Sequence, residues 1–384
     1  MKFFLFHLMP WPHLPEDFEK HHKTSWIWCS NSFYDPQKGH QVYNDYLDQL
    51  EAAEKLGFDG VCVNEHHQTA YGHMPSPNII AAALARRTEK IKIAIIGNAL
   101  PLYDPPQRVA EEIAMLDVIT NGRIISGQVV GGGPEYYSFG INPAFARERF
   151  YEAHELIMRI WTEDGPFSHY GKHFKIKYVN SWPKPLQKPH PPIWIPGAGS
   201  LETMDWVAKK RYAFMGIPYF HIDTFRKNFD YFREATEKNG YTAKPSQLGW
   251  LVPIYVAETD DQARKEFEPH LWYFIKKLLK GLTIIPPGYT SAKSIAKIWG
   301  DAQKHFIEKV ETWEELMAGG YVIVGSPETV CEKLINYSKD VGFGNLLSIM
   351  QFGDMPHEKA MRSMSLFAQE VMPKLRQVFP AEEN

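Results

Sequence analysis

Along most of the chain, short β-branched and aromatic runs alternate with stretches whose apolar residues recur every three or four positions. That alternation is the pattern of strand and helix units feeding a parallel sheet. Residues 2–8 read as the first strand; Val42, Tyr46, Leu50, Ala53 and Leu56 then share one helical face, and Val61 and Val63 belong to the second strand. Residues 78–84 read as helix, 91–96 as the third strand, and Val109, Ile113 and Leu116 as the buried stripe of the next helix, with Pro105 and Pro106 in its first turn. The fourth strand spans 124–130, and 150–161 is helical, with Tyr151, Ile157 and Trp161 among its apolar residues. Strands five to eight fall at 193–195, 212–217, 251–256 and 346–350.

Two stretches break the rhythm. Residues 165–192, with Trp182, Pro183, Pro185 and Pro189 among them, read as a hairpin and extended loop inserted after strand four. Residues 280–320, with Pro286, Pro287 and the Gly319-Gly320 pair, form a second insertion between strands seven and eight. The expectation is one domain over residues 1–384, an α/β parallel barrel of eight strands with two insertions. A chain of 384 residues with 44% apolar content can bury such a core. Its formal net charge of −3 gives no electrostatic case for nucleic acid or an anionic membrane. The opening MKFFLFHLM is interrupted by Pro10 and Pro12 with no small-residue cleavage site after it, so it reads as strand rather than signal. No apolar run approaches the roughly 18 to 20 residues of a membrane span. Cys29, Cys62 and Cys331 form neither a CxxC pair nor an even disulfide framework, so the expected compartment is the cytoplasm.

In such a barrel the C-terminal strand ends carry the chemistry. LGFDGVCVNEHH, residues 56–67, ends the second strand on Glu65, His66 and His67. An unperturbed histidine titrates near pH 6.5, which makes His66 a candidate acid or base; solvated or hydrogen-bonded loop histidines fit the same letters. IPGAGSLET, residues 195–203, runs through Gly197 and Gly199 into a helix beginning near Ser200. A helix N-terminus with the hydroxyls of Ser200 and Thr203 suits a phosphate, while an ordinary N-cap by Ser200 fits as well. GSPET, residues 325–329, repeats the pattern with Pro327 at the first helical position and reads as a cap. IGNALP at 96–101 and VVGGGPEYY at 129–137 add Gly97, Asn98 and the glycines 131–133, with Tyr136 and Tyr137 placed to shape a pocket for a flat ring. GxGxxG opening a helix does not occur, so the sequence offers no recognisable dinucleotide-binding unit.

Taken in order, LGFDGVCVNEHH, IGNALPLYDPPQRVAEEIAMLD, NGRIISGQVVGGGPEYY, RERFYEAHELIMRIWT and PLQKPHPPIWIPGAGSLET resemble the bacterial-luciferase-like, flavin-dependent monooxygenases over residues 1–215. VGSPETVCEKL agrees more loosely. The resemblance implies a (β/α)8 TIM barrel that binds reduced FMN at its C-terminal mouth and passes oxygen from O2 to a small organic substrate through a flavin hydroperoxide. It implies that His66 is the general acid or base and that Ser200 and Thr203 hold the flavin phosphate. Ile96 and Gly97 match a pair joined in some relatives by a non-prolyl cis peptide; Asn98, Val130, Gly131 and Gly199 complete the implied cofactor contacts, and His67, Tyr136 and Tyr137 the substrate side. One departure stands out. Several relatives carry an arginine on the flavin phosphate where this chain has Val130, which leaves Arg147 or Arg149 to replace it. Weaker flavin binding would suit a protein that receives FMNH2 from a separate NAD(P)H:flavin reductase. The family also implies a homodimer, joined through helices at 76–87 and 105–118.

Two other classes compete. A metal-dependent barrel hydrolase would use Glu65, His66 and His67 with His7, although the chain has no HxH on its first strand and no HExxH. A flavin-binding protein without catalysis is the third. For the substrate, Trp11, Trp26, Trp28, Tyr136, Tyr137 and Phe139 suggest an aromatic-lined mouth for a planar or apolar compound; packing in the core or at a subunit interface explains them equally. GGGPEYY resembles relatives that act on nitrogen heterocycles such as pyridines, alongside long-chain aldehydes and other small organics.

Overall fold

The structure, a computed structural model, describes residues 1–280, 292, 293, 296 and 306–380. Among the described residues, eleven strands follow in chain order: β1 (Lys2–Phe6), β2 (Gly60–Val63), β3 (Lys92–Ala99), β4 (Ile124–Val129), β5 (Phe167–Tyr170), β6 (Lys175–Val179), β7 (Ile193–Gly197), β8 (Ala213–Gly216), β9 (Leu248–Val256), β10 (Ile323–Gly325) and β11 (Asn345–Ile349). Eight of them close a parallel barrel in the order β1-β2-β3-β4-β7-β8-β9-β11, with β11 returning to β1. The TIM barrel is therefore present. Every residue of β2, β8, β9 and β11 is buried. That is why these strands read as unbroken apolar runs rather than alternating ones: a parallel sheet in a barrel is covered on both faces.

The helices follow their local signals. Asp35 accepts the N–H groups of Gln37 and Lys38 to start the Pro36–Lys55 helix, which buries Val42, Tyr46, Leu50 and Ala53 against the barrel. Ser76 caps Pro77–Arg87 in the same way. Pro105 and Pro106 precede their helix instead of entering it: Gln107–Ile119 begins after Pro106, its N-cap. No described helix is long and apolar enough to cross a membrane.

The stretch after β4 contains the expected hairpin, β5 paired antiparallel with β6. Of the later insertion, Pro286 and Pro287 lie outside the described residues, and its far end carries the Trp313–Ala318 helix. Other differences have simple causes. β10 goes unforeseen because three residues are too few to show a period. β7 continues through Pro196 and Gly197, and β9 starts at Leu248, three residues before the expected strand.

The expected third strand, 91–96, continues to Ala99, with its pairing to β4 shifting register between Ile95 and Asn98 and the Ile96–Gly97 peptide in cis. Here the two strands come so close that only glycine fits. A Cβ on Gly97 would stand 2.6 Å from the Gly127 carbonyl carbon, and one on Gly127 2.3 Å from the Ile95 oxygen. Main-chain atoms in a closed barrel cannot step aside. Gly127→Ala is therefore expected to cost about 1–3 kcal/mol through overpacking, read as a lower urea midpoint at unchanged slope; a wild-type midpoint would show that the contact relaxes freely.

Candidate active site

The loop after β2 and the loop after β4 meet at two buried carboxylates. Glu135 opens the short Glu135–Phe139 helix. Its Oε1 accepts the His67 main-chain N–H at 2.9 Å and lies 3.2 Å from His66 Nδ1, while its Oε2 accepts the Gly132 N–H at 2.8 Å. Burial alone would raise the pKa of this carboxyl; the hydrogen bond and charge of His66, together with the His67 N–H, outweigh it and hold the pKa below the usual value. Glu65 is the second. One of its oxygens faces His67 Nε2 at 2.9 Å, and the other accepts from Tyr103 Oη at 2.6 Å and the Ala99 N–H at 3.3 Å. Burial and the neighbouring Glu65 charge push the Tyr103 hydroxyl pKa up, so it stays protonated and donates.

Rings fix His66 from the other side. Trp26 and Tyr71 stack on each other at 5.0 Å and present their edges or faces to the imidazole at 5.6 and 5.0 Å. The Trp26 indole N–H donates to the Leu278 carbonyl, and Tyr71 Oη donates to Tyr219 Oη. Asn98 lies between the two loops, wholly buried on β3. Its amide nitrogen donates to Asn78 Oδ1 at 3.1 Å and Tyr103 Oη at 3.3 Å, and its Oδ1 has no hydrogen-bond partner among the described residues.

A third cluster forms after β7. Ser200 is the N-cap of Leu201–Lys210. Arg147 reaches its hydroxyl, with Nη2 donating to Ser200 Oγ at 2.7 Å and Nη1 to Thr203 Oγ1 at 3.0 Å, while Ser200 Oγ donates to Glu202 Oε2, on the same helix, at 2.9 Å. The look-alike GSPET behaves differently: Ser326 Oγ accepts the Thr329 N–H as an ordinary cap. A guanidinium, two hydroxyls and a helix N-terminus make a donor set suited to a phosphate. Gly199 just before it has φ +94°, and a Cβ there would meet the Asn228 amide at 2.3 Å.

The model of the luciferase-like monooxygenase family matches residues 24–343. The chain belongs to that family. It is 25% identical over 363 residues to 2,5-diketocamphane 1,2-monooxygenase 2 of Pseudomonas putida, covering 88% of this chain and 94% of that one. It is 27% identical over 239 residues to the oxygenase component of the flavin-dependent trigonelline monooxygenase of Acinetobacter baylyi, covering 60% and 64%. Among solved structures, the oxygenating constituent of 3,6-diketocamphane monooxygenase from Pseudomonas putida, a type II Baeyer-Villiger monooxygenase in complex with FMN, superposes with a TM-score of 0.73 at 22% identity, over 97% of this chain and 98% of that one.

Against the expectations for a luciferase-like chain, the structure sorts the named residues. His66 and His67 sit together after β2, joined through Glu135, and Ser200 and Thr203 sit together at Arg147. Arg149 is used elsewhere: it donates to the Pro101 carbonyl and lies over the Phe174 ring. Ile96, Gly97 and Asn98 lie within β3, and Val130 and Gly131 follow β4. The Val130 carbonyl accepts from Tyr136 Oη. Tyr136 is buried in a small apolar cluster with Ala99, Leu102 and Ala146, so it braces the glycine-rich loop and does not face an open pocket. Tyr137 is exposed beside Trp28, and Phe139 packs on His67. The hydrolase alternative finds no support, since no group of three or more His, Cys, Asp or Glu among the described residues is placed to hold a metal. His7 is held by Gln49 and the Met9 N–H, and burial lowers its pKa to about 3. Glu135, Asn78 and Tyr103 were not singled out by the sequence. Glu135 had a signal, a carboxylate directly after a glycine-rich strand end.

A depressed carboxyl pKa has a definite sign. Glu135 contributes stability that is present above its unfolded value of about 4.3 and lost as pH falls through the lower folded value. Glu135→Gln should lower Tm near neutral pH, with the gap to wild type closing below about pH 4.3. Melting curves across that range check it; a gap independent of pH would remove the carboxylate's charge from the account.

Proposed function

We propose that this luciferase-like chain is the oxygenase component of a two-component system, taking FMNH2 from a separate NAD(P)H:flavin reductase and using O2 to oxygenate a small organic compound. The observation that carries the reading is Arg147, which donates to the hydroxyls of both Ser200 and Thr203 at the start of the Leu201–Lys210 helix. These residues would hold the FMN phosphate, with Arg147 supplying the cation that Val130 cannot. Asn98, with its buried Oδ1 unpartnered among the described residues, would accept an N–H of the ring system, close to the glycines of β3 and β4. Val130, Gly131 and Gly199 complete that wall. The names of the relatives support the choice: one is an oxygenase component, and another was solved with FMN.

Reduced flavin, when bound, supplies two electrons and the centre that reacts with O2. The chain supplies proton handling. Glu135 takes the N–H at His66 Nδ1, which leaves Nε2 to hold or release a proton at the reacting centre. Glu65 orients His67 on the substrate side in the same manner. Trp26 and Tyr71 cover one side of the imidazole. The three cysteines are free, as suits the cytoplasm.

The test supplies chemically reduced FMN and O2 without a reductase and follows oxygen incorporation into candidate substrates. His66→Ala should lower turnover by about 10²- to 10⁴-fold with FMN affinity retained. Arg147→Met should do the reverse, weakening FMN binding by roughly tenfold or more, the size of a lost charge-assisted hydrogen bond. Rapid reduction of FMN by the purified protein with NADH alone would end the two-component reading.

We further infer a homodimer through Pro77–Arg87 and Gln107–Ile119, which pack on each other and leave Ile79, Met115, Val118 and Ile119 exposed. Sedimentation should give twice the 44.3 kDa chain mass, and Met115→Lys with Ile119→Lys should give the monomer; a monomeric wild type refutes the interface.

A further inference from the structure

Glu135 fixes only one atom of the His66 imidazole. A single hydrogen bond at Nδ1, 3.2 Å from the carboxylate, leaves the ring able to pivot about that contact, and a pivot re-aims Nε2. Two rings block it. Trp26 and Tyr71 each stand at 80° to the imidazole, with centroids at 5.6 and 5.0 Å. Trp26 is held by its indole N–H, which donates to the Leu278 carbonyl at 3.1 Å. Tyr71 packs on Trp26 and Phe274, and the polar end of its ring has one hydrogen-bond partner among the described residues, the Tyr219 hydroxyl at 3.1 Å.

Tyr219 lies just after β8, 148 residues along the chain from Tyr71. Both tyrosines are buried, and burial raises both hydroxyl pKa values, so each stays protonated and Tyr71 Oη donates to Tyr219 Oη. A buried hydroxyl that loses its partner keeps the full cost of its desolvation. The pair therefore holds the far end of the Tyr71 ring where it stands against His66.

The backbone of Tyr219 is the second observation. Its φ is +81°, in the left-handed region where a bulky side chain is an outlier. A residue in that state persists only when its surroundings over-determine it, and such residues cluster at active sites. Here the Tyr219 carbonyl accepts the Ile307 N–H at 2.8 Å, and Phe220 pairs with Phe306. The ring itself lies 5.4 Å from Phe274 and 6.4 Å from Phe306. An ordinary backbone conformation at this position would re-aim the side chain and break the hydroxyl contact.

We propose that Tyr219 is a positioning residue: by holding Tyr71 it sets the plane of the His66 imidazole and so the direction of Nε2. Its effect on turnover rests on His66 being the proton-handling ring; its effect on the ring does not.

The test uses the full chain labelled with ¹³C at histidine Cε1, which gives one resonance for each of the 16 histidines, and His66→Ala identifies the His66 signal. Tyr219→Phe keeps the ring and removes the hydroxyl. It should move the His66 signal, because the ring currents of Trp26 and Tyr71 then act on a re-oriented imidazole. The signal of His154, buried against Gln128 and Tyr212, should stay in place. FMN affinity should be unaltered, and turnover in the reductase-free assay should fall by about tenfold or more.

Tyr71→Phe should move the same signal. Each single variant orphans one buried hydroxyl and the double variant orphans none, so the double variant should melt no lower than either single one. An unmoved His66 signal in Tyr219→Phe, turnover equal to wild type, or melting temperatures that fall additively in the double variant would overturn the proposal. Absence of FMN binding in the wild type would sink the flavin reading and leave the resonance and melting data to decide the positioning role, so the two failures are distinguishable.

Discussion

One buried carboxylate, Glu135, ties the loop after β4 to the loop after β2. Removing one partner from a buried, paired charge typically costs 3–5 kcal/mol, because the other is left uncompensated. Here the partners are His66, the His67 N–H and the Gly132 N–H, so the imidazole orientation, the loop path and the glycine-rich turn are determined together. Tyr136, next in sequence, closes the same turn by donating to the Val130 carbonyl. The site is thus held from two strand ends, and neither loop can shift without exposing the charge.

The cofactor side is organised by another long-range contact. Arg147 lies 53 residues before Ser200 in the chain and donates to its hydroxyl and to that of Thr203. GSLET and GSPET have equivalent letters at the capping positions but different surroundings. What differs is a cation contributed by the Ala146–Thr162 helix, and no local pattern could have revealed it.

Legibility in the sequence followed the range of the forces involved. The barrel strands were visible because burial on both faces requires uninterrupted apolar residues, and the first long helix because Val42, Tyr46, Leu50 and Ala53 recur on one face. His66, Asn98 and Ser200 were visible because strand ends are where chemistry collects in this fold. Glu135 was not, since its meaning comes from partners 68 and 69 residues away, and the letters GGGPEYY drew the eye to glycines and tyrosines.

β10 bears on how the chain tolerates variation. β9 runs past its barrel neighbours: β8 pairs only with its first residues and β11 stops at Pro253, which would leave Ile254 to Val256 with open hydrogen-bonding edges. β10 occupies that edge through Ile323 to Gly325 and re-anchors the returning chain on the barrel. An unpaired strand edge invites association with other chains. With the edge guarded and both ends of the intervening excursion tethered to one strand, the excursion can lengthen, shorten or diverge between relatives while barrel closure is left untouched.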